Sequence, residues 1–194
     1  MSRVNDNTFQ LRQFFQIHAG VIFLKQSAAL FKLYAFPYLV LLMRILFGVG
    51  WFLAGLTKIT EKSWYSKPGI FLHDYLVQAA QKPQTPDFYK VFINEIALNH
   101  VMFLNYVIPV VQIAIGILLM VGLFIKQDIL FCLFMHINFI LSGNMNLTSL
   151  VLYTSAFGLL LCRSYTYAYS LDRAFGRAPS EREKDPALFL SHHP

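Results

Sequence analysis

At 194 residues the chain has the length of one ordinary domain. Its composition, 56% apolar and 13% charged with a mean hydropathy of +0.50, excludes an ordinary soluble one. The net charge of +6 does not mark a nucleic-acid binder, because the basic residues flank apolar runs and form no stripe.

Residues 1–35 read as an amphipathic segment. Leu11, Phe14, Phe15, His18 and Ile22 recur at helical spacing with Arg12, Gln13 and Gln16 between them, which predicts a helix lying on the cytoplasmic membrane surface. Lys25 and Lys32 argue against a fifth span there, and the apolar stretch from Ile17 to Leu24 is too far in and too interrupted for a cleavable signal peptide.

The first predicted span is 36–59, entered at Pro37. Gly50 and Ala54 form a small-xxx-small pair for close helix approach, and Lys58 snorkels at the outer end. Residues 60–99 form a long connection with two short helices: one from Pro68 to about Gln81, and one opened by Thr85-Pro86 and running to Glu95. Its aromatic residues suggest a cap resting on the membrane. The further spans are about 100–123, 129–142 and 147–162. Residues 174–194 are a charged tail. Cys132 and Cys162 lie inside apolar segments at what this layout makes the cytoplasmic ends of adjacent helices; without a Cys-x-x-Cys pair they read as apolar filler.

Four basic residues precede Arg44 and five come after Cys162, Lys126 lies in the turn after span two, and the turn between spans three and four has none. Both termini are therefore expected in the cytoplasm.

Arg44 sits inside the first apolar run, where a charge costs at least ~2.5 kcal/mol on insertion scales. At ~1.5 Å rise per residue, Arg44 lies roughly 12 Å from the cytoplasmic edge, His136 ~10 Å, Asn138 and Tyr153 ~14 Å and Gln112 ~17 Å. One middle layer thus gathers a polar residue from every span. Such a layer suits a quinone: Arg44 binds a carbonyl or anionic group, His136 moves a proton, and Gln112, Asn138 and Tyr153 orient the ring. The same residues equally suit a polar network that joins helices, at ~0.6 kcal/mol each. No metal spacing, phosphate loop or hydrolase motif is present, and no bound cofactor is expected.

Four stretches resemble the DoxX/DoxD family of small four-helix membrane proteins. Arg44-Ile45-Leu46-Phe47-Gly48 followed by Gly55-Leu56-Thr57-Lys58 is similar to its Arg-x-x-x-Gly and Gly-x-x-Lys pattern. Pro109 to Gly116, then Gly122, resembles its glycine-spaced second helix. Asn138-Phe139 to Gly143 is similar to its Asn-Phe-x-x-x-Gly stretch, and Ser170-Leu171-Asp172 to its closing Ser-Leu-Asp. Gln112 stands where relatives often carry Glu, and Asn144-Met145-Asn146 replaces a Ser-x-Asn-Pro-like stretch. The resemblance implies an all-α, four-helix transmembrane bundle in which Gly48, Gly55, Lys58, Gly143 and Asp172 are structural. It also implies a subunit of a thiosulfate:quinone oxidoreductase-like complex, with quinone as substrate and with membrane lipid and other subunits, or further copies of the chain, as partners. The competing expectation is a non-catalytic accessory or assembly subunit of a larger respiratory or photosynthetic membrane complex.

Overall fold

A computed structural model describes residues 31–144 and 146–178. The amphipathic segment before residue 31, Met145 and the tail from residue 179 lie outside the described residues. The chain divides into two compact units, Met1–Leu39 and Val40–Pro194. Of the first, the described part is a wide π-turn, Phe31–Ala35, and the opening of the next helix. The second unit holds the rest of the described chain.

The described residues form helices and turns, with no strand among them. Helix α1 is Phe36–Thr60, α2 Ile70–Gln81 and α3 Asp87–Phe92. Helix α4 is Val101–Val121, α5 Ile125–Leu141 and α6 Leu147–Leu161. Two short turns of helix close the described chain, α7 Arg163–Thr166 and α8 Leu171–Ala174. Two helical stretches are long and apolar enough to cross a membrane, α1 and a rod over Asp87–Val121. Four were expected. Helices α5 and α6 have 17 and 15 residues, about 25 and 22 Å at the α-helical rise, short of a hydrocarbon core about 30 Å thick.

Helices α1 and α4 run antiparallel with their backbones almost touching. A Cβ on Gly48 would lie 2.8 Å from the Gly116 carbonyl oxygen, and one on Gly55 would lie 2.7 Å from that of Pro109. Gly48 and Gly55 are seven residues apart, two helical turns, so they share one face. Of the expected small-residue pair, Gly50 meets a different helix: a Cβ there would lie 2.9 Å from Leu152 Cδ2 of α6. Asn146 caps α6, its Oδ1 accepting from the Ser149 amide at 2.8 Å.

The long connection has its own core. Leu72, Leu76 and Ala79 line one face of α2 at helical spacing and pack with Trp64, Tyr89, Ile93, Ala97 and Val101. Two expectations are corrected here. Thr85 does not cap α3; its hydroxyl donates back to the Ala79 carbonyl at 2.7 Å and closes the end of α2. Nor does the chain break at Asn99 before the second span. It passes from α3 through a π-turn, Ile93–Ala97, and a 3₁₀ turn, Leu98–His100, straight into α4. The side chains of Asn99 and His100 meet the carbonyls of Glu95 and Ile96 at 2.7 and 2.9 Å, which occupies groups that the change of helical pitch releases.

Candidate functional site

The polar residues expected in one layer separate into three places. Arg44 is 1% exposed and turns to the chain after α6. Its Nη1 donates to the carbonyls of Thr166 and Ala168 at 2.8 and 3.4 Å, and its Nη2 to that of Tyr169 at 3.2 Å. Asp172 completes this knot. Its carboxylate accepts from the amides of Phe124 and Ile125 at 3.0 and 2.9 Å and so caps α5, while its own amide donates to Gly122. Gly122 has φ 75°, and a Cβ there would lie 2.6 Å from that of Ser170 and 3.0 Å from the Arg44 guanidinium. Only glycine fits. Beside the knot, Asp128 stands in the first turn of α5, just ahead of the apolar run that opens at Ile129. Burial raises the Tyr167 phenol.

Gln112 and His136 lie elsewhere, on a cavity of about 380 Å³ toward the Lys58 end of α1. The reason is register. Gly48 lies against Gly116 and Gly55 against Pro109, so Gln112 on the antiparallel α4 stands level with about Phe52, roughly 12 Å along α1 from Arg44. Each side chain also leans toward its own helix's N-terminus, which widens the gap. The depth expectation of about 5 Å between the two residues is therefore corrected.

Trp51, Gln112 and His136 line this cavity deep in the unit, with the Trp51 and His136 rings edge to face at 5.1 Å. His136 Nδ1 faces the Cys132 carbonyl at 3.3 Å. Lys58, Trp64 and Phe139 line it as well. The Lys58 ammonium donates to the Ala54 carbonyl at 3.0 Å and sits 5.8 and 5.9 Å from the Trp64 and Phe139 rings. Lys62 also lines the cavity, and among the described residues around it there is neither Asp nor Glu. Three buried polar atoms of residues that line it have no hydrogen-bond partner among the described residues: Trp51 Nε1, Trp64 Nε1 and Gln112 Oε1. Two indole N–H groups and a lysine are donors only, whereas the Gln112 amide offers both a donor and an acceptor.

Asn138 faces a second volume of about 260 Å³, lined mainly by apolar side chains of α2, α4 and α5 and of the chain between α2 and α4. Its polar groups are already paired: Tyr89 donates to Asn138 Oδ1 at 3.0 Å, and the Tyr75 and Ser142 hydroxyls meet at 2.6 Å. Tyr153 lines neither volume; its ring stacks edge to face on Phe157 at 4.8 Å and lies 6.3 Å from that of His136. Gly143 has φ 68° in the turn after α5, and its carbonyl accepts from Lys82. Both cysteines are free thiols. The described residues contain no group of three or more His, Cys, Asp or Glu placed to hold a metal ion.

Trp51, Trp64 and the inward role of Lys58 escaped the sequence reading. A signal was available: Trp51, Ala54 and Lys58 are three and four residues apart, the spacing of one helix face. No family model, curated protein or solved structure matches the chain.

Proposed function

We propose that the chain is a four-helix integral membrane protein of the DoxX/DoxD kind, whose donor-rich cavity binds the ring of a membrane quinone in a quinone-linked oxidoreductase. Large apolar side chains stand exposed along the helices, among them Leu42, Leu46 and Leu53 on α1, Phe103, Val110 and Ile117 on α4, and Leu150, Val151 and Phe157 on α6. Lipid is the solvent such surfaces suit. The reading places α1, α4, α5 and α6 across the bilayer, with the bilayer thinned or the two short helices sheltered within a larger assembly, and both termini in the cytoplasm.

The two lysines of a carboxylate-free wall, with Gln112 and His136 beside them, carry the ligand reading. A quinone presents two carbonyl acceptors, and Trp51, Trp64 and Lys58 supply donors. After two electrons and two protons arrive, the quinol presents hydroxyl donors, and the Gln112 carbonyl is the matching acceptor. His136 lies where a proton is exchanged. The electrons come from a donor that the resemblance suggests is an inorganic sulfur compound, received directly or through a partner subunit. Equilibrium binding of a tail-less benzoquinone to purified protein in nanodiscs tests this. Lys58→Met and Gln112→Leu are expected to weaken binding about tenfold each, the worth of one hydrogen bond to a ligand. Absence of saturable binding to the native chain sinks the reading.

A second reading, a non-catalytic accessory or assembly subunit of a larger respiratory or photosynthetic complex, draws on Arg44. That charge is spent on main-chain carbonyls. Purification in mild detergent followed by mass spectrometry separates the two. A partner in fixed ratio, together with no quinone binding, favours the accessory role.

A further inference from the structure

We propose that the 260 Å³ apolar chamber seats the hydrocarbon tail of the same ligand whose ring enters the polar cavity, making the two volumes one site for an alkyl or isoprenoid quinone. This rests on the quinone reading and assigns the part of the ligand that reading leaves unplaced.

The two volumes share a wall. Leu72, Tyr75, Ile108 and Phe139 line both. A chain leaving the ring therefore passes one layer of side chains to reach the chamber. Tyr75 is the movable element of that layer, because its hydroxyl is held by the single bond to Ser142.

Polarity divides cleanly at this wall. The cavity is lined by the lysines, Gln112 and His136; the chamber's polar groups are satisfied by one another and ask nothing of a ligand. One compartment suits carbonyl oxygens and the other methylenes.

The chamber also opens sideways. Phe92, Phe131 and Phe134 are 38, 43 and 60% exposed at its rim, on the surface that the membrane reading gives to lipid. A ligand dissolved in the bilayer can pass there without leaving hydrocarbon. Size selects among occupants. A dry cavity of about 150 Å³ accepts benzene, so 260 Å³ accepts a length of chain, whereas a helix about 10 Å across is too wide.

The test uses two probes in nanodiscs: a decyl-tailed benzoquinone carrying a diazirine on its chain, and the tail-less ring. Trp51 and Trp64, the two tryptophans of the chain, report ring binding through fluorescence quenching. Photolysis is expected to label residues of the chamber, chiefly Leu104, Phe134 and Met135, and excess tail-less ring is expected to abolish that label. Leu104→Phe with Val107→Phe, which fills the chamber, is expected to weaken the tailed quinone about tenfold and the ring less than about twofold, since crowding falls on the chain alone. Chamber labelling that the ring does not displace overturns the proposal and makes the chamber an independent acyl groove. So does label spread over lipid-facing residues such as Leu46 and Leu150. A native chain whose tryptophans are not quenched by the ring overturns the quinone reading itself, which is a separate result.

Discussion

The two ends of α1 hold their polar side chains differently. At the Arg44 end, the guanidinium donates to three carbonyls and Asp172 accepts from two amides, while Arg44 Nε and Asp128 Oδ2 are left without a partner among the described residues. At the Lys58 end, Trp51 Nε1, Trp64 Nε1 and Gln112 Oε1 are buried without a partner among the described residues, in side chains that border about 380 Å³. A buried polar group that is paired holds a fold together, while one that is unpaired costs about 1–3 kcal/mol unless something else pairs it. Charge by itself does not decide what a side chain does in this chain: the Arg44 guanidinium is spent on main-chain carbonyls, while Lys58 borders the 380 Å³ cavity.

Substitutions put pressure on that contrast. Arg44→Met is expected to have the largest effect, lowering stability by about 3 kcal/mol because two buried carbonyls and a part-buried one lose their donor. Thermal unfolding in detergent reads it, and a loss below about 1 kcal/mol would show that the knot does not hold the fold. Gly122→Ala comes next at about 2 kcal/mol, from the left-handed backbone and the clash with Ser170. Gln112→Leu is expected to change stability by less than about 1 kcal/mol, or to raise it, while quinone affinity falls about tenfold. If it destabilised as much as Arg44→Met, the cavity would be packing too and the contrast would collapse.

Much of the helical layout was legible. Pro68 announced α2, which runs Ile70–Gln81, and the span expected from residue 147 begins where α6 does, at Leu147. These are local signals, carried by residues within a turn of the boundary. The rod through Asp87–Val121 was not legible, because it depends on a pitch change that Asn99 and His100 support through their side chains. The site was half legible. Gln112 and His136 do meet on one cavity, whereas Arg44 and Asn138 go elsewhere. Residue type was readable; depth was not, because it depends on where each helix begins against its neighbour, which the Gly48–Gly116 and Gly55–Pro109 contacts set.

The Arg44 contact carries a further consequence. Its acceptors are main-chain oxygens, and every residue type supplies one. The side chains at positions 166, 168 and 169 can therefore drift across relatives without disturbing those bonds, while the arginine cannot. Methods that infer proximity from paired changes in aligned sequences would be blind to this contact, although it joins residues more than 120 positions apart. One of the firmest long-range attachments in the molecule would leave only a solitary invariant column.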